Sequence, residues 1–282
     1  MSIAASLDHL AWATRDPPAL HARFERLGFC LTPRSTRLTP VQPDNSAAPW
    51  PVCNRCAMLR EGGYLEVLGA ADPSRPVSEF DRYMDRYDGI HVVVLGMKDA
   101  EANLTRLRRA NLPVVDIRHV ERPVSDQEPD GPRVHVAHLT LPESPEARLQ
   151  LIQHVTPELL WQERFLNHPN RAIALEAAVL AVERPANSAV RFSLLAGQPV
   201  APDPLGGFAL PLARGVVRLL PPEVLPKALP GVLPPTVPFV AAAVVRVDDG
   251  GQAVRALLGE EGREVPGGVL ADAGGGSVLF TW

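Results

Sequence analysis

The chain has 282 residues, 46% of them hydrophobic and 21% charged, with a formal net charge of −4. That is a globular composition, which excludes a disordered or fibrous protein. A pI near 6.1 leaves no basic footprint for nucleic acid or an acidic membrane surface, and no apolar run approaches the ~20 residues that span a bilayer. Asp8 and His9 interrupt the apolar start, so a secretory leader is not expected. Cys30, Cys53 and Cys56 are too few for a disulfide framework. A cytoplasmic enzyme or binding protein follows, taking a small-molecule substrate or ligand and neither nucleic acid nor membrane. All eight histidines lie at or before His168, so imidazole chemistry is confined to that part of the chain.

In chain order, residues 7–13 read as a strand, and residues 17–27 as a helix ending at Gly28. Strands at 56–59 and 64–68 follow a polar, proline-rich loop and turn at Gly62-Gly63. The order restarts with a strand at 90–95, a helix over 99–110, and strands at 114–120, 134–140 and 149–154. A third unit has strands at 172–182, 190–194, 208–210 and 215–219. A fourth has a strand at 239–247, a helix over 252–258 and a strand at 277–282. Alternating elements of this kind imply mixed sheets backed by helices. The length suits two domains at roughly 100–200 residues each; they are placed at 1–160, carrying the chemistry, and 170–282.

Four segments carry a family resemblance. Leu7-Asp8-His9-Leu10, Gly63-Tyr64-Leu65-Glu66-Val67-Leu68, the run from Gln153 to Trp161, and Asn167-His168-Pro169-Asn170 resemble the glyoxalase-like branch of the vicinal oxygen chelate superfamily. The resemblance covers residues 6–170. It implies an α+β fold of paired βαβββ modules whose sheets cup a metal or ligand site, here four modules in two domains. Such modules can be completed within a chain or between chains, so a homodimer stays open.

The resemblance also implies a ligand quartet, His9, Glu66, His91 and Gln150, with near-equal spacing within each module. Two imidazoles, a carboxylate and an amide oxygen suit a divalent ion such as Mn, Fe, Ni, Co or Zn. Counting back from Asp16 and Asp99 raises a register objection: Val92 then matches His9, and His91 faces the other way unless Gly96 takes up a residue. Strand alternation puts Gln150 and His154 on one face, so either could reach the cup. An amide abstracts no proton, which leaves Glu66 as the base and argues against glyoxalase I chemistry. Asn54 and His154 are candidate substrate contacts.

Other features read as structural. Cys53-Asn54-Arg55-Cys56 precedes a strand where a redox motif would open a helix. His135 and His138 fall on opposite strand faces, Thr156-Pro157 reads as a helix cap, and Trp161 and Phe165 read as packing. Arg118, Arg122 and Arg133 flank a polar loop over 121–132 long enough to act as a lid. The leading expectation is a metal-dependent isomerase or lyase acting on a small oxygenated substrate. The alternative is a non-catalytic protein sequestering an apolar ligand in the same cup. An extradiol dioxygenase is disfavoured, because its triad would sit in the histidine-free second half.

Overall fold

A computed structural model of the chain describes residues 5–38, 49–71, 78–141 and 144–282. It contains four βαβββ modules. The first comprises β1 (Ser6–Thr14), α1 (Pro17–Arg26), β2 (Ser35–Leu38), β3 (Pro49–Met58) and β4 (Tyr64–Ala70). A short helix, α2 (Ser78–Met84), leads to the second: β5 (Gly89–Gly96), α3 (Ala100–Arg109), β6 (Arg118–Pro123), β7 (Arg133–Leu141) and β8 (Arg148–His154). The third is β9 (Ala172–Ala181), α4 (Pro185–Ala196), β10 (Ala201–Pro202), β11 (Phe208–Pro211) and β12 (Val216–Leu220). After α5 (Leu225–Ala228) the fourth runs β13 (Phe239–Val247), α6 (Gln252–Leu258), β14 (Arg263–Val265), β15 (Gly268–Asp272) and β16 (Ser277–Thr281).

Local chemistry starts the helices alike. The Asp16 side chain accepts from Ala19 N at 3.1 Å and Asp99 from Ala102 N at 2.9 Å, each satisfying a backbone donor of the first turn. Buried Leu20 and Phe24 on α1, and Leu104 and Leu107 on α3, then seat the helices on the convex face of the sheet. One expected strand is a helix. Val190-Arg191-Phe192-Ser193-Leu194 alternates like a strand, yet Ser188, Ala189, Phe192, Leu195 and Ala196 are buried at helical spacing and Gly197 closes α4 at φ +66°. Thr156 makes no side-chain cap; its hydroxyl accepts from His135 N at 2.9 Å. The strand expected over 114–120 begins only at Arg118, and β6 occupies part of the expected lid.

In the first half the sheet order is β2-β3-β4-β1-β5-β8-β7-β6, and in the second β10-β11-β12-β9-β13-β16-β15-β14. Antiparallel pairing of β1 with β5, and of β9 with β13, joins the modules of each half. Val240 pairs with Ile90 and links the two sheets. The concave face of the first sheet packs Ala11, Leu68, Val92, Val94 and Ile152 under Phe80, Tyr83 and Phe165. No helix among the described residues is long and apolar enough to cross a membrane.

The halves also meet at a turn. Between β11 and β12, Ala213 N donates to Ala5 O at 2.9 Å and Arg214 O accepts from Leu7 N at 2.7 Å, so the turn is sewn onto the start of β1. Gly215 makes this possible: its φ is +78°, and a Cβ there would lie 2.8 Å from Leu7 Cβ. Gly215→Ala is expected to destabilise the protein by roughly 2–3 kcal/mol, from the left-handed backbone and the overpacked contact together. Urea unfolding of the two proteins measures this, and an unchanged midpoint would show that the turn yields without cost.

Candidate functional site

Strand alternation places His9 on β1, Asn54 on β3 and Glu66 on β4 on the concave face, and all three are buried. Asn54 Nδ2 donates to Glu66 Oε1. Glu66 Oε2 lies 3.5 Å from His9 Nε2, and Tyr64 stacks on the His9 ring with centroids 4.2 Å apart. The other His9 nitrogen, Nδ1, meets Asp8 Oδ1 at 2.7 Å. Asp8 also accepts from His154 Nε2, at 3.1 and 3.2 Å from its two oxygens. The result is a chain of alternating acids and imidazoles, Glu66–His9–Asp8–His154, with Asn54 fixing one end.

Asp8 is the member that sequence reasoning missed. Simple alternation sends Asp8 and His9 to opposite faces, but the β1–β5 register skips a residue between Leu7 and His9. This β-bulge brings Asp8 beside its neighbour. Burial alone would raise the Asp8 carboxyl, but hydrogen bonds and charge from His154 and His9 outweigh it and hold the group well below the ordinary carboxylate range. Tyr64, buried and close to Asp8 and Glu66, has its hydroxyl pushed well above its ordinary value.

The chain opens at one end. A cavity of about 540 Å³ is lined by Asp8, Gln153 and His154 together with Lys98, Arg214 and the ends of β1, β5 and β8. His154 Nδ1 is a buried nitrogen with no hydrogen-bond partner, while its Nε2 is held by Asp8. Trp161 meets the His154 ring edge-on at 5.0 Å and anchors itself by donating to Leu59 O at 3.1 Å. A larger cavity of about 620 Å³ lies between Arg86, Tyr87 and Asp88 and the second half of the chain, but its walls carry no imidazole or thiol.

Of the two remaining members of the expected quartet, His91 turns away and Gln150 stays on the concave face. His9 pairs with Val94 and Ala11 with Val92, so the two-fold relation of the modules makes Val92 the counterpart of His9. His91 sits in a second bulge, between the partners of Ala11 and Trp12, as the counterpart of Asp8. Its Nε2 donates to Tyr87 O at 2.7 Å and its ring packs against that of Tyr87, tilted by 38° with centroids 4.1 Å apart. Gln150 is the counterpart of Glu66 on the concave face, and its Nε2 donates to Thr140 Oγ1 at 3.0 Å. The donors therefore do not fit a four-ligand metal centre: one imidazole nitrogen and one carboxylate face each other, and among the described residues no three His, Cys, Asp or Glu side chains group around a point. No step below is routed through a metal.

The other sequence features hold structure. His168 accepts from Cys30 N at 3.0 Å through Nδ1 and donates to Met58 O at 2.8 Å. Asn170 donates to Leu27 O and accepts from Ala172 N, so the Asn167–Asn170 motif closes the joint between the halves. Cys53 and Cys56 are buried thiols not joined in a disulfide, and Cys53 Sγ donates to Ala70 O at 3.6 Å. Arg55 pairs with Glu25, and Arg60 bonds Asn167, so neither serves Glu66. His135 pairs with Glu121 on an exposed face, whereas His138 is buried.

Known structures resemble this arrangement as a whole. A hypothetical protein from Staphylococcus aureus matches with a TM-score of 0.65 at 11% identity, covering 98% of each chain. A Mn(II)-bound glyoxalase from Novosphingobium aromaticivorans matches at 0.59 and 12% identity, over 100% of this chain and 83% of that one. An extradiol ring-cleaving dioxygenase from B. fuscum matches at 0.55 and 10% identity, over 100% and 73%. At such identities the likeness is one of fold. No curated protein sequence matches significantly. Residues 7–195 match the family described as Glyoxalase-like domain, and with the paired βαβββ modules this places the chain in the glyoxalase-like family of the vicinal oxygen chelate superfamily.

Proposed function

We propose that the protein is an enzyme of isomerase or lyase type that moves a proton on a small oxygenated molecule bound in the 540 Å³ cavity. The observation that carries this reading is His154, a wall residue of that cavity whose Nε2 is held by Asp8 and whose buried Nδ1 has no hydrogen-bond partner among the described residues. A carboxylate on one imidazole nitrogen fixes the tautomer and leaves the other nitrogen as the base. His154 takes a proton from a carbon next to a carbonyl, and the electron pair of that C–H bond moves onto the carbonyl oxygen. Asp8 steadies the imidazolium that forms. His9 and Glu66, buried behind Asp8, hold its position and balance its charge. This moves the base from Glu66, the expectation from sequence, to a residue that lines the cavity.

One observation favours the second reading, sequestration without turnover: the His91 imidazole is committed to Tyr87 O, outside the group formed by His9 and Glu66. Solvent exchange separates the two. In D₂O the wild-type protein is expected to exchange the C–H protons next to the carbonyl in at least one of a panel of 2-oxo and 2-hydroxycarbonyl compounds, followed by ¹H NMR. Saturable binding with no exchange above the uncatalysed rate would leave sequestration as the function.

The metal-dependent form of the expectation has its own test. The purified protein is expected to retain far less than one equivalent of Mn, Fe, Ni, Co or Zn by mass spectrometry, and exchange is expected to survive chelation. Near-stoichiometric metal lost in His9→Ala and Glu66→Ala would reinstate those residues as ligands.

A further inference from the structure

We infer that the cavity beside His154 takes a small organic acid, with its carboxylate held between Lys98 and Arg214. This rests on the proposed site and names the class of molecule that fills it.

Guanidinium groups of this protein are commonly paired, as in Arg34–Asp126, Arg191–Glu146, Arg218–Asp203 and Arg246–Glu176. Arg214 and the exposed Lys98 differ, because neither side chain makes an ion pair or hydrogen bond with the described residues, and both line the cavity that Asp8 and His154 line. Arg214 Nε is buried and has no partner, although a desolvated guanidinium nitrogen ordinarily finds an acceptor. The nearest acid in sequence to Lys98, Asp99, is committed to capping α3 through Ala102 N.

The placement of Arg214 is built in. The turn that carries it is sewn to β1 by two backbone hydrogen bonds, and Gly62, at φ +100°, leaves the space its guanidinium occupies. The second half of the chain thus delivers a cation to the chemistry of the first. Charge then selects the ligand. Two cations and the Asp8 carboxylate leave the walls with one net positive charge, which matches a monocarboxylate better than a phosphate dianion. Arginine meets a carboxylate through two parallel N–H groups, and such charge-assisted bonds are about twice as strong as neutral ones.

Phenylacetate, its neutral amide phenylacetamide, and inorganic phosphate serve as probes in binding titrations at constant ionic strength. Phenylacetate is expected to bind at least ~10-fold more tightly than phenylacetamide, and Lys98→Met and Arg214→Gln each to weaken it about 10-fold with an unchanged unfolding midpoint. Equal binding of the amide, unaltered affinity in both variants, or displacement of phenylacetate by equimolar phosphate would overturn the assignment. His154→Ala separates this inference from the reading beneath it. That variant is expected to lose C–H exchange and keep phenylacetate. A wild-type protein that binds phenylacetate selectively but exchanges no substrate proton would refute the acid–base reading and leave the carboxylate site standing.

Discussion

His154→Ala is expected to lower the rate of C–H exchange by ~10²–10⁴-fold, the range of a positioned general base, while the far-UV circular dichroism stays that of the wild type. The side chain is only partly buried, and it packs edge-on to Tyr64 and Trp161 without filling the centre of the core. Its loss therefore removes chemistry before it removes structure. Asp8→Asn is expected to cost a comparable factor for a different reason. Asp8 accepts from two imidazoles at once, and an amide offers one of them an N–H where it needs an acceptor. Glu66→Gln lies two links further from the cavity, and a reduction of about 10-fold or less is expected because the relay still ends in an acceptor facing His9. Exchange kinetics on the three variants rank these roles. If Glu66→Gln abolished exchange and His154→Ala left it intact, Glu66 would be the base and the cavity-facing dyad a structural pair.

Acid stability tests the other histidine singled out from sequence. Burial pushes the His91 imidazole down to about 4, with the Arg86 charge acting in the same direction and the Tyr87 carbonyl against it. The unfolded chain, with an ordinary imidazole near 6.5, takes up its proton first. Stability is therefore complete above about pH 6.5 and is lost as pH falls toward 4, by about 3 kcal/mol for this one group at pH 4. The Asp8 carboxyl adds a later loss. Because it is held low in the folded protein, its contribution is whole above about pH 4 and declines only below that. His91→Gln keeps a donor for Tyr87 O and removes the titration, so its unfolding free energy between pH 6.5 and 4 should fall less steeply, by up to about 1.4 kcal/mol per pH unit. Urea unfolding at four pH values gives the comparison. Parallel curves for the two proteins would mean that His91 titrates normally in the folded state.

Much of the architecture was legible because its signals are local. Asp16 and Asp99 announce the helices that follow them, apolar alternation marks β1, β5, β9 and β13, and their recurrence shows four modules. Where local signals compete, they mislead. Residues 190–194 alternate like a strand, and only the burial of Phe192 and Leu195 in the third module shows the helix that wins. Short elements such as α2 and α5 carry too little period to be read at all.

The site divides along the same line. The family resemblance and the restriction of histidine to residues up to His168 are readable from motif and composition, and the resemblance also implied His9, Asn54 and Glu66 as pocket residues. That Asp8 joins them, that His91 leaves them for Tyr87, and that Arg214 arrives from more than 200 residues away in sequence depends on how distant segments pair. Two bulges made the first two choices. A bulge changes which way a side chain points by one residue in the pairing of two distant strands, so no periodicity within either strand records it. The third depends on backbone hydrogen bonds between a turn and the first strand, a contact between segments that share no pattern until the two sheets have met.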